Sequence, residues 1–320
     1  MRTSRLVTRC VLGVVAVLGT PFAARGAEPP PPPIIDMHMH VSGPLPRTDS
    51  GGVMPRVCLP HGWCDGAPTQ AKDDAQVRAL TLEAMQRNNI VLGFLSGPVD
   101  GVREWVDAAP GRFLAGPFIA NPHAVDLDQL RAAYRAGQLQ GMGELATQLA
   151  GIGPDDPALE PLFALAEEFD LPTLIHLEGI GPREPTFSIA AGRPELLDPV
   201  LKRHPGLRIY LENAGFPRLA ETISLMYMHP QVYADLSTVT WVAPRAMFYE
   251  YLKRLMDAGL GQRLMFGSDQ MWWPETIDLG IEAIRSAPFL TEAHKRDIFY
   301  NNAARFLRLS PQEIARHHKR

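Results

Sequence analysis

After residue 26, the 320-residue chain has no apolar run near the roughly 18–20 residues that a membrane-crossing helix needs. No serine stands in a G-x-S-x-G frame, so a serine hydrolase has no anchor. Basic side chains are in the minority, Lys+Arg 31 against Asp+Glu 35, and no basic stripe stands out. A nucleic-acid partner is therefore not expected. Cysteine is scarce, with Cys 3, too few for a disulfide-built scaffold. The stretch "GMGELA" (141–146) formally fits G-x-G-x-x-A, but a helical pattern precedes it and no dinucleotide fold is read from it.

What is present is ordinary globular material, 46% hydrophobic and 21% charged, enough for one large core. Pro 30 and Gly 27 imply many turns and short connections. The first 26 residues read separately. Arg2, Arg5 and Arg9 precede the short apolar "CVLGVVAVLG", and Ala24-Arg25-Gly26 offers a small-x-small cleavage site. This pattern is that of a Sec-type signal peptide, which predicts a periplasmic or secreted protein with no membrane attachment after cleavage. Loss of its four arginines moves the net charge from −4 to −8. Of the cysteines, Cys58 and Cys64 in "VCLPHGWCDG" remain, and an oxidising compartment permits a disulfide between them. Two free thiols are the alternative.

A proline-rich lead-in (27–33) then gives way to one domain, 34–320. Eight short apolar runs recur: "IIDMHMHV", "IVLGFLSG", "FLAGPFIA", "LQGMGELA", "PTLIHLEG", "LRIYLENA", "VYADLSTV" and "RLMFGSDQ". Amphipathic stretches separate them, for example Phe248, Tyr251, Leu252 and Leu255 at helical spacing. Apolar strands alternating with helices imply parallel pairing buried on both faces. Eight such units across about 275 residues predict an α/β fold, a single (β/α)₈ TIM barrel. The longest irregular stretches, 41–72 and 179–193, follow the first and fifth runs and so fall on the barrel's catalytic rim.

The first run carries His38 and His40 two residues apart, on one face of a strand, where two imidazoles converge on a single ion. Other runs place Glu144, His176 and Asp269 close to their C-terminal ends, where barrel active sites lie. Burying such groups unpaired is costly, and a cation neutralises them.

"DMHMH" on the first strand, a histidine on the fifth and "FGSD" on the eighth resemble the amidohydrolase superfamily, in its amidohydrolase-related branch of small lactonases and decarboxylases. The segments "NNAARFLRL" and "HPGLRIYLENAG" resemble the same branch. The resemblance implies His38, His40 and His176 as metal ligands, and Asp269 as a ligand or the base beside an activated water. For Glu144 it leaves three roles: bridging two ions, orienting a ligand, or pairing with an arginine. Where the branch carries a sixth-strand histidine this chain has Asn213, with Glu212 beside it. That departure favours one divalent ion, zinc by default with manganese or iron fitting too, and leaves Asn213 to hydrogen-bond substrate or water.

Trp63 and Trp272, on rim loops, are expected to wall an apolar pocket, and Arg183 to meet a substrate carboxylate. Asp36 reads as support for the first strand's turn, and Asp235 as structural or as a partner that orients a ligand. The leading expectation is an exported metal-dependent hydrolase that opens a small cyclic ester or amide. A decarboxylase of a small unsaturated or aromatic acid is the second, and a non-catalytic barrel that retains its metal the third. The substrate is a small molecule; its identity and the oligomeric state are left open.

Overall fold

A computed structural model describes residues 31–41, 55–59, 71–179 and 185–319. The predicted leader, Trp63, Cys64 and Arg183 lie outside those residues. Cys58 lies inside them and is disulfide-bonded. Among the described residues, no helix is long and apolar enough to cross a membrane.

Each of the eight apolar runs contains one strand. They are β1 (Ile34–His40), β2 (Ile90–Gly97), β3 (Phe113–Pro117), β4 (Met142–Leu145), β5 (Pro172–Ile175), β6 (Arg208–Leu211), β7 (Tyr233–Asp235) and β8 (Leu264–Met265). Parallel ladders join β1-β2-β3 and β4-β5-β6-β7-β8. Backbone hydrogen bonds close both seams. Ile119 N donates to Glu144 O and Ala146 N to Ile119 O, each at 2.8 Å. Met37 N donates to Phe266 O at 2.9 Å and Asp269 N to His38 O at 2.8 Å. The sheet is therefore a closed barrel, which brings the first and last strands side by side.

Helices cross between strands, among them α1 (Asp74–Arg87), α2 (Val99–Ala108), α3 (Leu127–Arg135), α4 (Glu160–Glu168), α5 (Leu197–Arg203) and α6 (Leu219–Met228). Their apolar faces and the outward strand residues form one large buried layer. A second, smaller cluster fills the barrel itself: Ile35, Met37, Phe94, Leu174, Tyr210 and Met265, closed below by Tyr300 and Phe306. Phe94 meets the Tyr210 ring edge-on at 5.8 Å. His204 and His229 are buried. His204 lies between Glu167 and Glu160, each at 2.9 Å, and these acids make its burial tolerable.

The fully buried Tyr210 also donates its hydroxyl to Met37 O at 2.6 Å, pinning β6 to β1 across the barrel. Tyr210→Phe keeps the ring and removes the donor. The expected cost is about 1–2 kcal/mol, read as a fall in Tm of roughly 3–6 °C by differential scanning calorimetry. An unchanged Tm would show that this bond contributes nothing.

Candidate metal centre

The site is made by departures from regular strand geometry at the C-terminal rim. In β1, Ile35 and Met37 face the barrel interior. A register shift against β2 between Asp36 and Met39 reverses that parity, so His38 and His40 point inward after it. Asp36 holds the irregularity: its Oδ1 accepts from His38 N at 3.1 Å and from Ser268 N at 2.9 Å. Burial pushes the Asp36 carboxyl up to about 7, against those hydrogen bonds. Gln270 then grips the His40 backbone from both sides, accepting from its N at 3.0 Å and donating to its O at 2.7 Å. On β4 a second register shift falls between Met142 and Leu145 and aims Glu144 inward. It turns on Gly143, whose φ of 112° and whose Cα lie where a Cβ would come within 2.5 Å of Leu174 O. Asp269 itself has φ 46°, a left-handed conformation that Asp tolerates better than most residues.

The side chains converge. His38 Nε2 and His40 Nε2 are 3.0 Å apart. Glu144 Oε2 is 3.4 Å from the first and 3.1 Å from the second. Asp269 Oδ1 is 3.0 Å from His40 Nε2 and 3.8 Å from His38 Nε2. The far ring nitrogens have their own partners: His38 Nδ1 lies 3.1 Å from Asp235 Oδ2, and His40 Nδ1 lies 3.1 Å from Ser96 Oγ. The Asp235 carboxylate can only accept, which favours the His38 tautomer whose Nε2 lone pair faces the other donors; the Ser96 hydroxyl holds the His40 ring with either tautomer.

His176 stands elsewhere. Its Nδ1 lies 2.7 Å from Glu144 Oε1 and 2.6 Å from Glu212 Oε2. Among the described residues the donors form three overlapping groups, His38–His40–Glu144, Glu144–His176–Glu212 and His38–Glu212–Asp269, so that Glu144, Glu212 and His38 are each shared between two of them. Glu144 touches three histidines, and among the described residues no arginine pairs with it.

Glu212, not Asn213, is the sixth-strand residue that faces in. Tyr210 points into the barrel, and strand parity carries Glu212 to the same face two residues later. Asn213, at φ 51°, turns away. Its Oδ1 accepts from Thr238 Oγ1 at 2.6 Å, Val239 N at 3.0 Å and Ser237 Oγ at 3.2 Å. Its Nδ2 donates to Glu178 at 3.0 Å and Glu212 at 3.1 Å. An amide so engaged has no bond left for substrate or water, which corrects the catalytic role expected of it. Trp272 lines a cavity of about 240 Å³ with Val41, Arg78 and Trp105. An aromatic wall does exist at the centre, but it is Phe118, 38% exposed and edge-on to the His40 ring at 6.0 Å.

Electrostatics shows what the donors lack. Burial alone would lower His40, but the carboxylate of Asp269, 3.0 Å from its Nε2, and that of Glu144 hold it at about 9. His38 and His176 are likewise raised against burial, by Asp269 and Asp235 and by Glu212 and Glu144 respectively. Burial also favours the protonated form of Glu144, yet its three histidine neighbours hold it well below the usual carboxylate range. Burial, and the charge of Glu144, push Glu212 well above that range. Asp269 Oδ1 and Glu212 Oε2 are buried without an aligned hydrogen-bond donor. Imidazole and carboxylate donors within 4.8 Å of one another, some of them orphaned, fit divalent cations.

A family model described as "Amidohydrolase" matches residues 35–309. The chain belongs to that family. Solved structures agree on the fold. An uncharacterised TIM-barrel protein from Bordetella bronchiseptica is 17% identical, covering 90% of this chain and 100% of its own, with a TM-score of 0.59. A probable 2-pyrone-4,6-dicarboxylic acid hydrolase from Acinetobacter baumannii, with citric acid bound, is 13% identical over 86% and 99%, with a TM-score of 0.57. A dihydroxybenzoic acid decarboxylase from Polaromonas sp., with bound manganese, is 14% identical over 88% and 97%, with a TM-score of 0.56. No curated protein matches. The amidohydrolase family thus spans hydrolases and decarboxylases on this barrel, and the donor groups of this member mark it as metal-binding.

Proposed function

We propose that this amidohydrolase-family protein is an exported, metal-dependent hydrolase that opens a small cyclic ester or amide. One observation carries the proposal: a buried carboxylate oxygen, Asp269 Oδ1, without an aligned donor, beside the two Nε2 atoms of His38 and His40. His38, His40, Glu144 and Asp269 would hold the first divalent ion, zinc by the nitrogen-rich half of the set. Glu144, His176 and Glu212 would hold a second, since Glu212 supplies the donor whose absence at Asn213 favours a single ion. Bound there, the metal supplies a Lewis acid and lowers the pKa of a coordinated water.

The protein's own residues do the rest. Asp269 takes the proton of the attacking water on the carboxylate oxygen that the ion leaves free and returns it to the leaving oxygen or nitrogen as the ring opens. Phe118 offers the apolar side of the ring a surface beside His40. A substrate carboxylate has little to meet here: among the described residues, no lysine or arginine lies within 4.0 Å of Glu144, Glu178, Glu212 or Asp269.

The test is turnover of a lactone and cyclic-amide panel in ¹⁸O water by zinc-loaded protein. One ¹⁸O atom in the ring-opened acid is expected. Release of carbon dioxide without label, or no turnover across lactones, amides and carboxylates, would overturn the proposal. Elemental analysis is expected to find two transition-metal ions per chain.

A further inference from the structure

Two of the three histidines are braced by a partner on the nitrogen that faces away from the donor groups, Asp235 for His38 and Ser96 for His40. His176 presents Nδ1 to Glu144 and Glu212, so its Nε2 is the atom to be braced. That Nε2 is buried and makes no hydrogen bond, with Glu178 Oε1 3.3 Å away.

Glu178 lies one residue beyond the buried run at the end of β5, yet it is held firmly. Gln148, itself 1% exposed, donates from Nε2 to Glu178 O at 2.7 Å and accepts at Oε1 from Glu178 N at 3.0 Å. The same Nε2 donates to Ser188 O at 3.1 Å, and Ser188 N donates to Gln148 O at 3.3 Å. Gly192 packs on this clamp so closely that a Cβ there would lie 2.2 Å from Gln148 Nε2 and 2.3 Å from Glu178 O. The other carboxylate oxygen of Glu178 accepts from Asn213 Nδ2 at 3.0 Å. A rim carboxylate fixed at its backbone N, its backbone O and one side-chain oxygen has its second oxygen left for His176.

We propose that Gln148 and Glu178 form a positioning relay for His176. Gln148 sets the Glu178 backbone; Glu178 Oε1, 3.3 Å from His176 Nε2, is placed to accept its N–H when Nδ1 holds a cation, selecting the tautomer whose Nδ1 lone pair faces Glu144 and Glu212. The inference rests on the reading that His176 holds a cation, and it adds the residues that make this imidazole a ligand through Nδ1. Outer partners of metal-bound histidines typically contribute 10–100-fold in affinity. The relay joins the segment after β4 to the segment after β5, so it reaches the centre from a turn that contributes no donor of its own.

The experiment is zinc titration of the metal-free full chain against a competing chelator, with the metal count read at saturation. Glu178→Ala is expected to weaken one of the two ions 10–100-fold and leave the other unchanged, with Glu178→Gln intermediate. Gln148→Ala should weaken the same ion, and the double variant should be no weaker than the worse single one, because both act through one path. Metal-free Tm should stay within about 3 °C in Glu178→Gln, which separates positioning from folding and serves if Glu178→Ala does not fold. Wild-type affinity at both ions in Glu178→Ala and Glu178→Gln, or additive losses in the double variant, would overturn the relay while leaving the proposed function standing. A wild-type chain that binds no second ion would overturn the relay together with the two-ion reading beneath it.

Discussion

Asp269→Asn is expected to lower kcat by about 10²–10⁴-fold, the usual worth of a positioned proton-transfer group. The substitution is nearly isosteric, and the backbone bond from residue 269 N to His38 O, at 2.8 Å, does not involve the side chain. The fold and the barrel seam should therefore persist. What disappears is a carboxylate oxygen that can take a proton from water and hand it on. Because the same carboxylate lies 3.0 Å from His40 Nε2, metal content must be measured alongside turnover. A variant with full metal and lost turnover supports the proton-transfer role. A variant with lost metal reduces Asp269 to a ligand, and one with unchanged kcat removes it from the mechanism.

Chelation is expected to abolish turnover and to make stability strongly pH-dependent. Without a cation, protons on the histidines compensate the buried carboxylates, and His40 is held at about 9 against an ordinary 6.5. A base whose folded pKa is raised contributes stability that is full below its unfolded pKa and lost as pH rises through the folded value. The metal-free chain should thus lose on the order of 3 kcal/mol between pH 6.5 and pH 9. That loss would appear as a Tm fall of roughly 5 °C or more. The metal-loaded chain should show no such slope, since a bound cation replaces those protons, and metal affinity should rise with pH over the same window. Equal pH profiles for the two forms would show that the histidines do not exchange protons for metal.

Much of this site is legible in the order of residues. His38 and His40 sit two apart on a strand, and Glu144, His176 and Asp269 interrupt apolar runs close to their ends, so run and interruption both mark the rim. Glu212 is within reach of the same logic: it lies two residues beyond Tyr210, the inward residue of β6. The family's missing histidine points instead to Asn213, one residue off, where a left-handed backbone breaks the parity. The two register shifts, in β1 and at Gly143, have no short sequence signature, although each decides which side chains reach the centre. Phe118 and Gln148 carry no signal, because an isolated aromatic or amide after a strand has many ordinary uses.

Taken alone, the order of residues determined eight strands, their alternation with helices and most of the donor atoms, because hydrophobic period and polar interruption are local properties of a chain. The gathering of those donors into overlapping groups was decided by the tertiary structure. So were the bracing of each imidazole and the role of Glu178. Contacts such as His38 with Asp235, Asn213 with Glu178 or Gln148 with Ser188 join segments tens to hundreds of residues apart, and no local pattern encodes a distance of that kind.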